Sequence, residues 1–217
     1  MSKKPLIVTI NVSIGPESPC DSDGWKLHSF ARNKFVTDVN PDEYVKEYDR
    51  KTGEVKAANG QLTRKLGNGL AFWLSYYEHG DGAWSIKGTG QQCRFDTAQL
   101  AGILVWESKA KDLGPKTVED RAADARKFLE RYNEWANGDV YDWEVREPGE
   151  DEPVDDGSGH EWVGSDDMMA EILRLVGDRP VIARGDCSWM LSGGLYTNGK
   201  KLEIVDEDEV VEDAFSE

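Results

Sequence analysis

Carboxylates are the residues of this chain best placed to do chemistry, because they are concentrated rather than spread. Its 217 residues include 42 Asp and Glu against 26 Lys and Arg, a formal net charge of −16. From Asp139 to Asp167 there are 12 acids and one base, Arg146; from Glu203 to Glu217 there are 8 acids and no base. The other 173 residues carry 25 bases and 22 acids, a net of +3. Charge segregated in this way has two chemical uses. A fixed row of carboxylates, each about 7 Å (two strand residues) from the next, imitates nucleic-acid phosphates. Such a row occupies clefts lined with Lys and Arg and gains association rate by electrostatic steering. Converging carboxylates instead hold a divalent metal for hydrolysis. The bland alternative is a solvated loop and tail kept acidic for solubility.

The first use points to Glu150, Asp151, Glu152, Asp155, Asp156, Asp166 and Asp167 as partner-binding residues, with the tail acids secondary. For the second use, Asp96, Glu107 and Lys109 around the strand-like AGILVWES are the nearest fit, at a spacing common by chance. The segment EDEPVDDGSGHE lacks the alternating order of a calcium loop. Asp186-Cys187-Ser188 suggests a nucleophile, but a nucleophile needs a base within reach, and His28, His79 and His160 are dispersed. The G-x-S-x-G elbow is absent, and Cys187 reads as a small buried hydrophobe. Cys20, Cys93 and Cys187 show no CxxC spacing, which argues against structural zinc and against a disulfide framework. Gly67-x-Gly69 and Gly88-Thr89-Gly90 have no helix start behind them and make no phosphate cradle. Trp25, Trp73, Tyr76 and Trp84 lie at strand spacing and read as core rather than a base-stacking platform. No catalytic residue, metal ligand or cofactor is therefore assigned.

The elements that position these residues follow from periodicity. Leu6, Val8, Ile10 and Val12 alternate with polar neighbours and predict a first strand. Residues 25–36 predict a second, with Trp25, Leu27 and Phe35 inward and Phe30 out of phase. Asn40-Pro41-Asp42-Glu43 carries helix-start signals for a short helix ending near Arg50. Residues 54–69 are expected as an exposed loop. LAFWLSYYE (70–78), apolar on both faces, suits a central strand and turns tightly into Trp84–Lys87 as a hairpin. AGILVWES (101–108) is another buried strand. The strongest helix spans 118–136, capped by Thr117, with Val118, Ala122, Ala125, Phe128, Leu129, Tyr132 and Trp135 on one face and Asn137-Gly138 closing it. A strand over 139–145 carries Tyr141, Trp143 and Val145 on one face. The acidic loop REPGEDEPVDDGSGHE follows, rich in Pro and Gly. A helix capped by Ser165 then runs to Gly177, and LYTNGKKLEIV forms a final hairpin about Asn198-Gly199.

The expected fold is α+β: a mixed or antiparallel sheet of about six to seven strands with two to three helices, an acidic loop and an acidic C-terminal tail. One domain is expected over 1–205, any sub-boundary lying in the acidic loop near 147–160, with 206–217 a flexible acidic tail. No stretch approaches the ~20 apolar residues that span a bilayer. MSKKPLIVTINVSIG reads as a strand rather than a signal peptide.

The blocks SDGWKLHSFARNKF, FDTAQLAGILVWES, ARKFLERYNEWANGDVYDWEV and EWVGSDDMMAEIL resemble a group of bacteriophage-encoded proteins. Members pair a D(S/T)-x-Q-(L/V)-(A/G) strand, here Asp96-Thr97-Ala98-Gln99-Leu100-Ala101, with a helix reading E-x-Y-x-x-(Y/W)-x-x-G-(D/E)-V-Y, here Glu130 to Tyr141. A WGF-x-G turn comes next, where this chain has Glu161-Trp162-Val163-Gly164. The likeness covers residues 20–175 in scattered blocks and implies a phage origin and an accessory role rather than a reaction. The acidic insertion at 147–160 and the extension after 178 depart from the pattern and hold much of the excess charge.

Charge and resemblance together give the expected function. It is that of an accessory protein of the host-cell cytosol, working by protein binding. Its DNA-mimic-like surface would inhibit a basic host protein of defence, restriction or nucleic-acid handling by filling that protein's nucleic-acid-binding cleft. Direct nucleic-acid binding and membrane association are not expected, and catalysis is the weaker expectation. The alternatives are a metal-dependent enzyme acting on nucleic acid or nucleotides, and a phage structural or assembly protein.

Overall fold

The computed structural model describes residues 3–22, 24–30, 44–48, 55–157, 165–192, 197, 199 and 201–206. In chain order the elements are β1 (Leu6–Val12), the single turn α1 (Pro19–Ser22), β2 (Trp25–Ser29), β3 (Val45–Tyr48), β4 (Val55–Ala58), α2 (Gly60–Gly67), β5 (Ala71–His79) and β6 (Asp81–Ile86). There follow β7 (Thr97–Trp106), α3 (Val118–Asn137), β8 (Tyr141–Arg146), β9 (Asp155–Gly157), α4 (Ser165–Val176), β10 (Val181–Arg184) and a 3-10 turn over Ser188–Leu191. The class is α+β, as expected. The strands outnumber the expected six or seven, because the described residues form two four-stranded sheets and a two-stranded ribbon.

The chain divides into two compact units, one of residues 1–17 with 138–217 and the other of residues 18–137. The division separates the charge completely. The discontinuous unit holds 24 acidic and 8 basic residues, a net of −16, whereas 18–137 holds 18 of each and is neutral.

In the neutral unit the sheet order is β2-β7-β5-β6, antiparallel throughout. Trp25, Leu27, Leu74, Trp84, Leu104 and Trp106 cover one face and pack with Ala125, Phe128, Leu129 and Tyr132 of α3. Phe30, Ala71, Ile103 and Val105 cover the other, beneath Tyr44, Val45 and Leu62. Both faces of β5 and β7 are thus covered, which is why their sequences are apolar without alternation. α3 matches its sequence signals: the Asp120 N–H donates to Thr117 Oγ1 at 3.1 Å, and Gly138 adopts a φ of +81° beyond the last turn.

Two expectations fail here. The short helix toward Arg50 is replaced by β3, which pairs with β4. Burying Tyr44 and Val45 against the sheet outweighs the Asn-Pro helix-start signal, whose residues lie outside the described set. The exposed loop at 54–69 is replaced by β4 and α2. Asn59 caps α2 by accepting the Leu62 N–H at 2.8 Å, and Leu62 anchors the helix in the core. The second strand stops at Ser29, and Phe30 is buried just beyond it. Phe35 lies outside the described residues.

The acidic unit has the order β10-β1-β8-β9, parallel between β1 and β10 and antiparallel elsewhere. Leu6, Val8, Ile10, Trp143, Val145 and Val181 face Met168, Met169, Ile172 and Val176 of α4. The helix opens at Ser165, and Gly177 follows it at φ +58°. The acidic loop is not wholly irregular, because Asp155–Gly157 folds back on β8 as β9. Gly157 permits this: a Cβ there would lie 2.3 Å from the Trp143 Nε1. Of the expected final hairpin, Leu195, Tyr196, Asn198 and Lys200 lie outside the described residues. Its last residues bridge β10, with Ile204 beside Val181 in parallel.

Candidate functional site

The acids proposed for binding are set by the β8–β9 hairpin and the start of α4. Its connecting loop closes through the Val154 N–H donating to the Val145 carbonyl at 2.7 Å, and Gly149 supplies a φ of +86°. Glu150, Asp151 and Glu152 are exposed at the tip of that loop. Asp155 and Asp156 are consecutive on β9, so they face opposite sides of the sheet. Asp156 stands directly opposite Glu144, on the side away from α4, and Asp142 lies two residues along on that side. Asp155 stands opposite Val145, on the side of α4. Arg174 there bonds Glu171, which pushes its guanidinium pKa further up, with a smaller contribution from Asp155. Asp166 and Asp167 are the second and third residues of α4.

The seven acids therefore do not form one row. Asp156, Glu144 and Asp142 share one side of the sheet, Asp155 belongs to the other, and Glu150, Asp151 and Glu152 stand at the loop tip. Like charges directly opposite one another on a sheet are destabilising. The Glu144–Asp156 pair is partly relieved on the Glu144 side, where Thr9 Oγ1 donates at 3.2 Å and Arg146 lies 3.3 Å away. At the loop base Arg179 donates to Glu147 at 2.7 Å, holding that carboxyl below the usual carboxylate range. Asp142 and Glu144 went unselected from sequence, although the alternation in DVYDWEV marks them as the outward residues of a half-buried strand.

The carboxylates considered for metal chemistry are held apart. Asp96 precedes β7 and Glu107 follows it, so about 33 Å of extended strand separates them. Asp96 instead accepts from the Cys93 thiol at 3.1 Å and lies 3.6 Å from His79 Nδ1. Glu107 accepts from the Tyr44 hydroxyl at 3.0 Å and lies 3.6 Å from Nε2 of the wholly buried His28. Lys65 of α2 is near the same carboxylate; burial pushes its ammonium pKa down and Glu107 opposes that, while Nζ donates to the Trp106 carbonyl. Lys109 contributes its carbonyl, which accepts the Trp106 indole N–H at 3.1 Å. A cleft of about 400 Å³ is lined by Gln61, Arg64, Lys65, Asn68 and Leu70. Among the described residues no group of three or more His, Cys, Asp or Glu is disposed to hold a metal ion.

Cys187 is buried, and burial, reinforced by Asp186, pushes its thiol up, as suits a core residue. Trp25, Tyr76 and Trp84 are likewise core. Among the described residues no helix is long and apolar enough to cross a membrane. No family model, curated protein or solved structure matches the chain.

Proposed function

We propose that the protein acts by binding, presenting its acidic unit to the basic, nucleic-acid-binding cleft of a host protein and thereby inhibiting defence, restriction or nucleic-acid handling. One observation carries the reading: the entire formal charge of −16 belongs to the unit of residues 1–17 and 138–217, and the other unit is neutral. An acid excess kept only for solubility has no reason to respect a fold boundary. The unit also retains a like-charge pair, Glu144 opposite Asp156, at a cost in stability. A basic cleft would relieve that repulsion on binding, and the net field would steer the encounter.

The test is capture of partners from bacterial lysate with the intact protein at low and high salt, beside a Glu150→Gln, Asp151→Asn, Glu152→Gln, Asp156→Asn variant. The reading expects a basic, nucleic-acid-binding protein that is retained at low salt, lost at high salt and lost with the variant. Retention unchanged in the variant, with unchanged salt dependence, overturns it.

A further inference from the structure

β6 is an edge strand, and α3 covers its outer edge only in part. Asn137 and Asn133 hydrogen-bond the outward N–H and carbonyl groups of Gly82 and Trp84. The next step of that ladder sets Leu129 level with Ile86, and leucine has no polar side-chain atom to offer. Hydrogen-bonded and non-bonded pairs alternate along antiparallel strands, so Leu74–Ile86 is of the same kind as Tyr76–Trp84. The Ile86 N–H therefore also points away from β5. The Ile86 carbonyl is already taken, accepting from the Thr89 N–H at 2.9 Å and from Thr89 Oγ1 at 2.7 Å. Its N–H has no partner among the described residues.

A groove of about 300 Å³ opens at this point, wholly within the neutral unit. Tyr77, Ala83, Ile86 and Leu129 give it apolar walls, and Arg126 and Glu130 of α3 line it with opposite charges. Both are exposed, and among the described residues neither makes an ion pair. The turn after β6, which also lines the groove, is held in place. Ser85 Oγ and Gln92 Nε2 both donate to the Thr89 carbonyl, at 3.1 and 2.6 Å.

One free N–H, between the amide-capped Trp84 and a closed turn, has room for a single residue and not for an added strand. An anion there accepts from that N–H and from the Arg126 guanidinium, while a cation meets the Glu130 carboxylate. A peptide end carries only one of those charges beside its terminal side chain; a free amino acid carries both. Apolar walls select an apolar side chain.

We infer that this groove binds a free apolar α-amino acid, its carboxylate accepting from the Ile86 N–H and Arg126 and its ammonium meeting Glu130. The inference goes beyond the proposed binding function and does not rest on it, because the acidic unit contributes no residue to the groove.

The probe is L-leucine, titrated into the isotope-labelled full chain while the amide resonances are followed. Leucinamide, which lacks the carboxylate, and isocaproate, which lacks the ammonium, are titrated beside it. Leucine is expected to move the Ile86 amide resonance saturably and to bind about tenfold more tightly than either analogue. Arg126→Gln and Glu130→Gln each weaken leucine binding by about tenfold. Both positions are exposed, so the core is left intact. Arg126→Gln leaves leucinamide binding unchanged, and Glu130→Gln leaves isocaproate binding unchanged. No saturable shift at Ile86 overturns the inference, as does a leucine affinity that matches both analogues or survives both substitutions. Each of these outcomes leaves partner capture by the acidic unit standing.

Discussion

The side chain of Asn133 bonds both backbone groups of Trp84. The Trp84 N–H donates to Oδ1 at 2.8 Å, and Nδ2 donates to the Trp84 carbonyl at 3.0 Å. One helical turn on, Asn137 treats Gly82 in the same way at 3.0 and 2.9 Å. Trp84 and Gly82 lie on β6, an edge strand of its sheet. Four helical residues rise about 6.0 Å and two strand residues about 6.6 Å, so the amides keep step with alternate edge positions. α3 therefore stands in for a fifth strand, satisfying groups that would otherwise template pairing with another chain.

Replacing Asn133 by Ala leaves a backbone donor and acceptor of a buried residue without partners. The expected cost is about 1–3 kcal/mol in urea unfolding. Asn133→Asp keeps the acceptor but sets an anion against the Trp84 carbonyl, and is expected to be at least as damaging at neutral pH. An unchanged midpoint in both variants would refute the edge-capping role.

Gly82 is required for a steric reason. A Cβ there would lie 2.1 Å from the Tyr76 hydroxyl oxygen. Gly82→Ala is expected to cost about 1–3 kcal/mol, and less in a Tyr76→Phe background, which a double-mutant cycle measures. Burial, helped by Glu78, also pushes the Tyr76 phenol up to about 12. Its neutral form is the one the fold favours. That contribution is complete below the ordinary phenol value of about 10 and is lost as pH rises through about 12. Alkaline titration by phenolate absorbance should lose its step near pH 12 in Tyr76→Phe.

Arg179 ties three segments of the acidic unit, donating to Glu147, to the Lys4 carbonyl at 2.8 Å and to the Pro5 carbonyl at 3.3 Å. Because the Arg179 hydrogen bond lowers the Glu147 pKa, the stabilisation is present above the ordinary carboxylate value and disappears as pH falls through the depressed one. Glu147→Gln should lower stability by about 1 kcal/mol at neutral pH, a small figure because the pair is partly solvated. The gap from wild type should close in strongly acid solution; a gap that stays constant with pH removes the ion pair from the account.

The three thiols should separate kinetically. Cys20 and Cys187 are buried, and burial pushes the Cys187 thiol up, whereas Cys93 is half-buried on a surface turn. One fast thiol is expected with a disulfide reagent under native conditions, absent from Cys93→Ser, and three on unfolding. Fast native reaction at Cys187 would contradict its placement in the core.

Sequence alone determined the features whose causes lie within a few residues. Thr117, the apolar stripe through Phe128, Leu129 and Tyr132, and Gly138 specify α3, because caps and helical period act locally. The tight turn at Gly80 and the apolar runs beside it specify the β5–β6 hairpin. The signal for α2 was present in Asn59 and in Leu62 and Leu66 four apart, but polar neighbours obscured it. Charge segregation is also a property of composition, visible without coordinates. Tertiary structure decided the rest. β1 pairs with residues 141–146 and 181–184, more than a hundred positions away, and that pairing draws the boundary that assigns all the net charge to one unit. Pairing with β4 turned Val45–Tyr48 into a strand against its local helix signal. Register on β9 sent Asp155 and Asp156 to opposite sides, and the length of β7 held Asp96 away from Glu107. Whether a carboxylate joins a surface, a hydrogen bond or a buried cluster depends on partners distant in the chain, and no local pattern encodes where those partners arrive.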